Sequence, residues 1–344
     1  MEPLGASGLR VDRIVIGAMD RRERPDAERE RLLEQALDLG FTTFDTAPLY
    51  GFGRAERLLG EVLARRSERV VVATKVGLRW GENARGAELF RAPGPEGRPV
   101  VVRRDSRPAS VRSDVEASLQ RLGLERLDLV QVHQPDLEVP IEETMGTLLD
   151  LRSEGKLLGI GVSNFDLEQT QRAARALGDV PLACLQLPYN LLARPRPAIL
   201  DWARRRGVGV LGYSPLGEGL LAGRYLEQLP PRGAGGGPYQ HPANIRRAHR
   251  ALETVYPVAR AHDAPLAAVS LAALLGADGL TAPVVGVSRP AHLQAAAQAR
   301  EIRLSPSERG RITEALLGAG FEPRAGSRRR DRWLARIRRI LPLP

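Results

Sequence analysis

The sequence predicts an α/β barrel of eight parallel strands, and three observations support this fold class. The chain has 344 residues, enough for one large barrel or two ordinary domains. Short apolar runs alternate with helix-like segments, and the eight predicted strands equal the strand count of such a barrel. No glycine-rich phosphate fingerprint opens the first helix, which disfavours the alternative of a doubly wound open sheet. We predict a barrel over residues 1–318 and an arginine-rich tail over residues 319–344.

The first elements are short and are predicted from apolar patterning. Residues 8–11 alternate in character and residues 13–17 are mostly apolar, which predicts a short N-terminal hairpin and then a first buried strand. Between residues 25 and 39 the apolar side chains recur at helical spacing, and Gly40 follows as a stop signal. The first strand is therefore followed by a helix.

The same alternation continues to residue 287. The predicted strands are 41–46, 70–76, 127–132, 157–162, 182–187, 207–213 and 282–287. The predicted helices are 54–65, 110–122, 141–154, 166–176 and 197–206, with further helices within 244–275. Two segments rich in glycine and proline, 79–107 and 229–242, interrupt the pattern. We predict that they are long loops at C-terminal strand ends, where they would set substrate specificity and form a cofactor lid.

The end of the chain contains three predicted features. Residues 304–308, with the sequence LSPSE, indicate a capped helix start, and residues 318–326 read as a linker. The tail then carries apolar side chains at helical spacing, at Trp333, Leu334, Ile337, Ile340 and Leu341. This spacing predicts a basic amphipathic helix, which would either pack under the barrel or bind a membrane or an anionic partner.

Four polar side chains lie at or just beyond the C-terminal ends of three predicted strands, where barrel enzymes keep their catalytic residues. Asp45 and Tyr50 follow one strand, Lys75 ends the next, and His133 follows a third. Lysine is rare in this chain, because only Lys75 and Lys156 interrupt the arginines among its 51 basic residues. Lysine, unlike arginine, has a pKa that its surroundings can shift. Each residue type alone is more often structural, but four together predict a catalytic site.

Five motifs in chain order carry a resemblance to a known family. They are DTAPLYG at 45–51, ATK at 73–75, VHQPD at 132–136, SNF at 163–165 and YSPLG at 213–217. With these motifs, the chain resembles the aldo-keto reductase family over roughly residues 8–300. The resemblance implies an alcohol dehydrogenase or carbonyl reductase that depends on NADP, with NAD not excluded. Its substrate would be a small aldehyde, ketone, sugar or the corresponding alcohol.

The predicted roles of the four polar residues follow from the needs of hydride transfer to a carbonyl. The developing alkoxide needs a proton. A free tyrosine has a pKa of about 10, which is too high for it to release a proton readily at neutral pH. A lysine ammonium beside the phenol favours the phenolate, and an aspartate keeps that lysine charged. Tyr50 is therefore predicted as the general acid and base, Lys75 and Asp45 as its tuning groups, and His133 as the donor that orients the carbonyl. The resemblance assigns the same roles and, with Trp80 after a strand end, we predict Tyr50, Trp80 and His133 as substrate-binding residues.

The resemblance also implies a set of cofactor-binding residues across the barrel mouth. They are Gly17, Ala18, Met19, Asp45, Ser163, Asn164, Gln186, Tyr213, Ser214, Pro215, Leu216, Gly217, Gly286, Ser288 and Arg289. Ser163, Asn164 and Gln186 would hold the carboxamide. Tyr213 would stack on the nicotinamide, and Ser214, Leu216 and Gly217 would meet the pyrophosphate.

The last predicted cofactor-binding segment, residues 285–296, matches the family pattern in one part and differs from it in another. Ser288 or Arg289 would bind the ribose 2′-phosphate through charge-assisted hydrogen bonds. Where the family usually has a Glu-Asn pair near the adenine, this chain has Gln294-Ala295-Ala296. The preference for NADP over NAD is therefore left open by the sequence.

Composition argues against nucleic-acid binding, metal binding and membrane insertion. Much of the net charge of +10 lies in the arginines of the tail, and no interleaved aromatic platform or known binding motif accompanies them, so we expect no nucleic-acid partner. The five histidines show no ligand spacing, and we expect no metal. The single cysteine, Cys184, fits a reducing compartment, and no apolar run approaches the roughly 18 residues of a membrane span, which predicts a cytoplasmic protein.

One alternative from another class stays open. The chain could be a cofactor-binding regulatory or scaffold subunit of the same fold, with the arginine-rich tail as its docking element. Retention of Tyr50 and Lys75 does not exclude it. The sequence predicts neither the oligomeric state nor the identity of the substrate.

Overall fold

The structure is a computed structural model that describes residues 1–19, 24–94, 98–226 and 237–323. The tail predicted to form an amphipathic helix lies outside the described residues, as does most of the second interruption. Within the described part, no helix is long and apolar enough to cross a membrane.

Eight parallel strands close into a barrel. In chain order the strands are β1 Glu2–Pro3, β2 Arg10–Val11, β3 Val15–Gly17, β4 Thr43–Asp45, β5 Val71–Val76, β6 Leu78–Arg79, β7 Glu88–Pro93, β8 Pro99–Arg104, β9 Leu127–Val132, β10 Leu157–Ser163, β11 Leu182–Pro188, β12 Gly209–Tyr213 and β13 Ala282–Gly286. The barrel order is β3-β4-β5-β9-β10-β11-β12-β13, and β13 pairs with β3 to close it. β1 and β2 form the N-terminal hairpin as a separate antiparallel pair. The predicted fold class is confirmed.

Helices cover the outside of the barrel. They are α1 Asp26–Asp38, α2 Arg54–Leu63, α3 Pro108–Leu122, α4 Ile141–Ser153, α5 Leu167–Ala176, α6 Pro197–Arg205, α7 Pro242–Leu252, α8 Val255–Ala261, α9 Leu266–Leu274, α10 Pro290–Glu301 and α11 Pro306–Leu317. The buried face of α4, for example, carries Ile141, Met145, Leu148 and Leu151, which are spaced by four and three residues. The main core lies between helices and strands, and a smaller cluster fills the barrel interior.

The first predicted interruption is not a loop throughout, and that prediction was wrong. Strands β6, β8 and β7 form a three-stranded antiparallel sheet over the barrel end. Its outer strand β7 is largely exposed, so its side chains give no clear apolar alternation, and the surrounding glycines and prolines favoured a loop interpretation. Helix α10 was also not predicted, because its buried face consists mainly of alanines.

The predicted capped helix start is confirmed. The described part of the predicted linker, residues 319–323, packs on the barrel. Ser305 Oγ accepts a hydrogen bond from the Glu308 backbone N–H, and the Glu308 side chain accepts one from the Ser305 N–H, which forms a capping box. Beyond α11, Phe321 packs against Tyr239, and Glu322 bonds to α7. Residues 319–323 therefore lie on the barrel instead of leaving it.

Candidate active site

Strand register brings the predicted catalytic residues to one end of the barrel. Asp45 at the end of β4 is level with Gly17 on β3, and Lys75 on β5 is level with Gln131 on β9. His133 follows β9 directly, and its backbone N–H donates to Val76 O at 2.9 Å. Because parallel strands present their C-terminal ends at the same edge, these side chains share one opening.

Lys75 is the centre of the cluster. Its Nζ donates to Asp45 Oδ1 at 2.7 Å, to Tyr50 Oη at 3.2 Å and to the Thr46 carbonyl oxygen at 3.0 Å. The residue is 1% exposed, so these three acceptors use the three ammonium protons inside the barrel. Burial alone lowers the pKa of Lys75, but the charges of Asp45 and Tyr50 outweigh it and raise the pKa above its usual value.

A tight left-handed turn positions Tyr50. Its backbone N–H donates to Ala47 O at 3.0 Å, and the next three residues, Gly51, Phe52 and Gly53, all have positive φ before α2 begins. Two of the three are glycines, which adopt this conformation without a side-chain clash. The turn leads the chain into α2 and leaves the Tyr50 phenol in contact with Lys75.

His133 faces the same opening from the other side. Its ring lies edge-on to the Tyr50 ring, with centroids 6.0 Å apart at an interplanar angle of 87°. Burial of the ring, followed by the charge of Lys75, lowers the pKa of His133 well below its usual value. The imidazole is therefore neutral near pH 7, and none of the described residues hydrogen bonds to its ring nitrogens. It can donate one hydrogen bond to a substrate oxygen without bringing a charge.

A buried amide pair supports Asp45 from below. Gln186 Nε2 donates to Asp45 Oδ2 at 2.8 Å and Gln131 Nε2 does so at 3.3 Å. The Cys184 thiol donates to Gln131 Oε1 at 3.4 Å. Gly161 on β10 makes room for this group, because a Cβ there would lie 2.7 Å from the Cys184 sulfur. All of these side chains are at most 2% exposed.

Gln131 is a site residue that the sequence interpretation missed. Its signal was available as one amide in the otherwise apolar end of a buried strand, directly before the VHQPD motif. Buried polar groups are rarely placed without a partner, so such an amide points to a polar neighbour inside the barrel. Gln186 was predicted to hold a carboxamide, and the structure adds its contact with Asp45.

Asn164 links the segment of His133 to the residues that are predicted to bind the cofactor. It has a positive φ of 62°, and its Nδ2 donates to the His133 carbonyl oxygen and to Ser163 Oγ, both at 3.0 Å. Tyr213 Oη donates to Asn164 Oδ1 at 2.8 Å. The predicted carboxamide-binding residues and the predicted stacking ring therefore form one connected group.

The loop after β12, residues 214–219, has an unusual backbone. Ser214, Gly217, Glu218 and Gly219 all have positive φ. Successive backbone N–H groups in such conformations can converge on a common point and form an anion-binding concavity. This loop contains Ser214, Leu216 and Gly217 of the predicted pyrophosphate site, and we call it the cofactor loop.

The ends of β3 and β13 form the remaining predicted cofactor surface. Gly286 is level with Gly17, and a Cβ on Gly286 would meet nothing within 4 Å. Ala18 N–H donates to Asp45 O at 2.8 Å, and Met19 beyond it is 41% exposed. Glycine at position 286 therefore leaves space for a ligand to approach the backbone.

Two further side chains order the segment after β13. Arg29 of α1, 1% exposed, donates to the carbonyl oxygens of Val287 at 2.5 Å and Gly17 at 3.4 Å. The Ser288 backbone N–H donates to His292 Nδ1 at 3.3 Å. Arg289 is exposed directly before α10. Ala295 and Ala296 are buried in that helix and supply no polar side-chain atoms.

Trp80 lies in an aromatic pair that the sequence did not reveal. Its ring is edge-on to Phe52, with centroids 5.1 Å apart at an interplanar angle of 71°. Phe52 comes two residues after Tyr50, and Trp80 five residues after Lys75. The pair therefore joins the segment after β4 to the segment after β6. No group of side chains with metal-ligand character occurs in the described ranges.

Comparison with known proteins identifies the family of the chain. The model of the Aldo/keto reductase family matches residues 13–317, which is most of the chain. The chain belongs to the aldo/keto reductase family. The resemblance carried by the five motifs is thereby confirmed, and the chain is an oxidoreductase of that family.

Two curated proteins and one solved structure show how far the similarity extends. The aldo-keto reductase YhdN of Bacillus subtilis is 39% identical over 199 residues, which cover 57% of this chain and 54% of that protein. The NADH-specific methylglyoxal reductase of Escherichia coli is 30% identical over 89% of this chain and 95% of its own length. The glycerol dehydrogenase AKR11B4 of Gluconobacter oxydans superimposes with a TM-score of 0.77 at 30% identity, covering 91% of this chain and 94% of that one.

Proposed function

We propose that this aldo-keto reductase transfers a hydride between NADP and the carbonyl carbon of a small aldehyde, ketone or sugar. The observation that carries the proposal is the position of Lys75 Nζ, 2.7 Å from Asp45 Oδ1 and 3.2 Å from Tyr50 Oη. This geometry supports Tyr50 as general acid in reduction and general base in oxidation. The neutral ring of His133, edge-on to Tyr50, supports its role as hydrogen-bond donor to the substrate oxygen.

The residues present fit a dinucleotide at the barrel mouth. Gly286 leaves open space where a side chain would stand, and the cofactor loop has the left-handed backbone of an anion-binding concavity. Arg289 supplies an exposed cation next to Ser288, which suits the ribose 2′-phosphate. Ser163, Asn164, Gln186 and Tyr213 would hold the nicotinamide end, which supplies or accepts the hydride when it is bound.

The proton step uses groups of this chain. During reduction, Tyr50 Oη gives its proton to the oxygen that becomes the alcohol and is left as phenolate. The ammonium of Lys75 stabilises that phenolate, and the carboxylate of Asp45 keeps the ammonium charged and in place. During oxidation the phenolate takes the proton back. Gln131 and Gln186 fix the free oxygen of Asp45, so the carboxylate does not turn away from Lys75.

The cofactor and substrate preferences are the finer part of the proposal. Arg289 supports NADP, although the methylglyoxal reductase relative is named NADH-specific and the buried Ala295 and Ala296 offer nothing polar to the adenine. The relatives' names point to small carbonyl compounds and polyols, and Trp80 with Phe52 offers apolar contact for the substrate carbon chain. The free, buried thiol of Cys184 supports the prediction of a reducing, cytoplasmic compartment.

Titration of the purified protein with NADPH and with NADH, followed by nicotinamide fluorescence, tests the proposal before any substrate is chosen. We expect saturable binding with preference for NADPH, and turnover in a subsequent screen of small carbonyl compounds. Binding of NADH alone would keep the reductase and contradict the role of Arg289. Binding of neither would contradict the proposal and favour a scaffold subunit.

A further inference from the structure

The described C-terminal segment, residues 319–323, is docked on helix α7; we call it the strap. The Glu322 backbone N–H donates to Asn244 Oδ1 at 3.0 Å, and Asn244 Nδ2 donates to the Glu322 carbonyl oxygen at 2.8 Å. Arg247 Nη2 contacts Glu322 Oε1 at 2.7 Å. Asn244 is fully buried, so this two-way contact is an internal part of the fold.

The strap places an aromatic ring against Tyr239. The rings of Phe321 and Tyr239 are stacked, with centroids 4.9 Å apart at an interplanar angle of 28°. Asn244 Nδ2 also donates to Pro238 O at 2.9 Å, so the same amide holds both the strap and the short turn that carries Tyr239. Tyr239 is therefore fixed from its outer side.

On its inner side, Tyr239 contacts the cofactor loop. Asn190 Nδ2 donates to Tyr239 Oη at 2.7 Å and to the Ser214 carbonyl oxygen at 3.1 Å. The Tyr239 ring also packs on Gly217, where an added Cβ would lie 3.1 Å from two ring carbons. Asn190 is fully buried, and its Oδ1 accepts hydrogen bonds from the chain just after it. One continuous set of contacts thus runs from Phe321 to both ends of residues 214–217.

The backbone of the cofactor loop explains why such support is needed. Ser214 and Glu218 have positive φ, a conformation that residues other than glycine keep only when neighbouring groups determine it. If the loop already has its binding conformation before the ligand arrives, binding does not carry the entropy cost of ordering the loop, and the affinity is higher. The support comes from outside the loop, since Asn190 and Tyr239 belong to other parts of the chain.

We propose that the strap is a positioning element for the cofactor: Phe321 fixes Tyr239, and Tyr239 with Asn190 holds residues 214–219 in the conformation that binds the pyrophosphate. This inference rests on the proposed function, because it requires that the loop binds the dinucleotide. None of the strap residues touches the reacting atoms. Their effect is on the affinity for the cofactor, not on the proton step.

Substitution Phe321→Ala tests the inference, with Leu317→Ala as the matched control. Leu317 is 41% exposed on α11, four residues before Phe321, and its substitution leaves the stack intact. We expect Phe321→Ala to raise the Kd for NADPH about tenfold, and turnover at saturating NADPH to stay within about twofold, because Tyr50 and Lys75 are unaffected. Leu317→Ala should change neither quantity.

A second variant keeps the test decisive if Phe321→Ala weakens the fold. Tyr239→Phe retains the stacked ring and removes the oxygen that accepts from Asn190, and should raise the Kd about three- to tenfold. An unchanged Kd in both variants, while the unaltered protein binds NADPH, would overturn the inference alone. A fall in turnover at saturating NADPH with unchanged Kd would do the same. If the unaltered protein bound neither NADPH nor NADH, the proposed function and this inference would both fail.

Discussion

The two sides of the barrel mouth are built differently. On the side of β4, β5 and β9, Asp45 and Lys75 are 2% and 1% exposed, and strand register sets their distance. On the side of β12 and β13, the cofactor loop has four residues with positive φ, and Arg289 is exposed. The first side is held from within the barrel, whereas the second depends on side chains that pack on it from outside, such as Tyr239.

This difference fits the two tasks that we propose for the enzyme. Proton transfer needs groups fixed to within fractions of an ångström, and paired strand ends in a buried interior provide that. Cofactor exchange needs a surface that can bind and release, and a loop with external support provides that. We therefore expect substitutions on the first side to reduce turnover and substitutions on the second side to reduce affinity.

The largest expected effect is on the first side, from Tyr50→Phe. The substitution removes the transferable proton and keeps the ring beside His133. Turnover should fall by about 10²–10⁴-fold, the usual range for loss of a general acid, while the Kd for NADPH changes less than about twofold. Single-turnover absorbance and a fluorescence titration of the same preparation measure the two quantities. Turnover close to that of the unaltered protein would remove Tyr50 from the mechanism.

Lys75→Met should lower both turnover and the free energy of unfolding. Lys156→Met is the matched control, because Lys156 is the other lysine of the chain. Loss of the ammonium makes Tyr50 a weaker acid and leaves the Asp45 carboxylate buried without its ion pair. We expect turnover to fall as for Tyr50→Phe and the free energy of unfolding to fall by about 3–5 kcal/mol. Lys156, 29% exposed between Glu116 and Glu154, forms surface ion pairs, so its substitution should change the free energy of unfolding far less than Lys75→Met does.

The pH dependence of the Lys75 effect has a defined sign. Because the native pKa of Lys75 lies above its ordinary value of 10.5, the ion pair stabilises the fold fully below that pH. The contribution is lost only as the pH rises through the native pKa. Denaturant unfolding should therefore give the same difference between the unaltered protein and Lys75→Met at pH 6 and at pH 9. A difference that disappeared by pH 9 would contradict the buried pair.

On the second side, Arg289→Ala should change selectivity and leave turnover at saturating cofactor intact. If the guanidinium binds the 2′-phosphate, the ratio of NADPH affinity to NADH affinity should fall about tenfold, with most of the change in NADPH. Arg311→Ala on α11 removes the same charge at an exposed position away from the mouth and should leave the ratio unchanged. Equal ratios in both variants would show that another group discriminates between the two cofactors.

The sequence predicted the first side better than the second for a physical reason. Strand ends follow from local apolar runs, and a barrel aligns all of them, so Asp45, Lys75 and His133 could be brought together without knowing any contact. The role of Gln131 was not predicted, because a single amide in an apolar strand does not identify its hydrogen-bond partner. The strap escaped because its contacts join residues far apart, as Glu322 and Asn244 are 78 positions apart, and the glycines around Phe321 favoured a linker. The antiparallel sheet of β6, β7 and β8 was hidden in the same way by glycine and proline.

Substitution of His133 should have the weakest effect of these variants, and it tests whether the first side of the mouth holds a neutral imidazole. In the native protein its pKa lies well below 6.5, mainly because the ring is buried, so the unfolded chain binds a proton there before the native protein does. Stability should therefore fall as the pH is lowered, and this residue should contribute a loss of about 0.7 kcal/mol between pH 7 and pH 6. His133→Gln removes the titration and retains a donor. Urea unfolding of both proteins at the two pH values should show a shallower slope for the variant by that amount. Identical slopes would mean that His133 is protonated as readily in the barrel as in water, and the neutral donor proposed for the substrate oxygen would then be wrong.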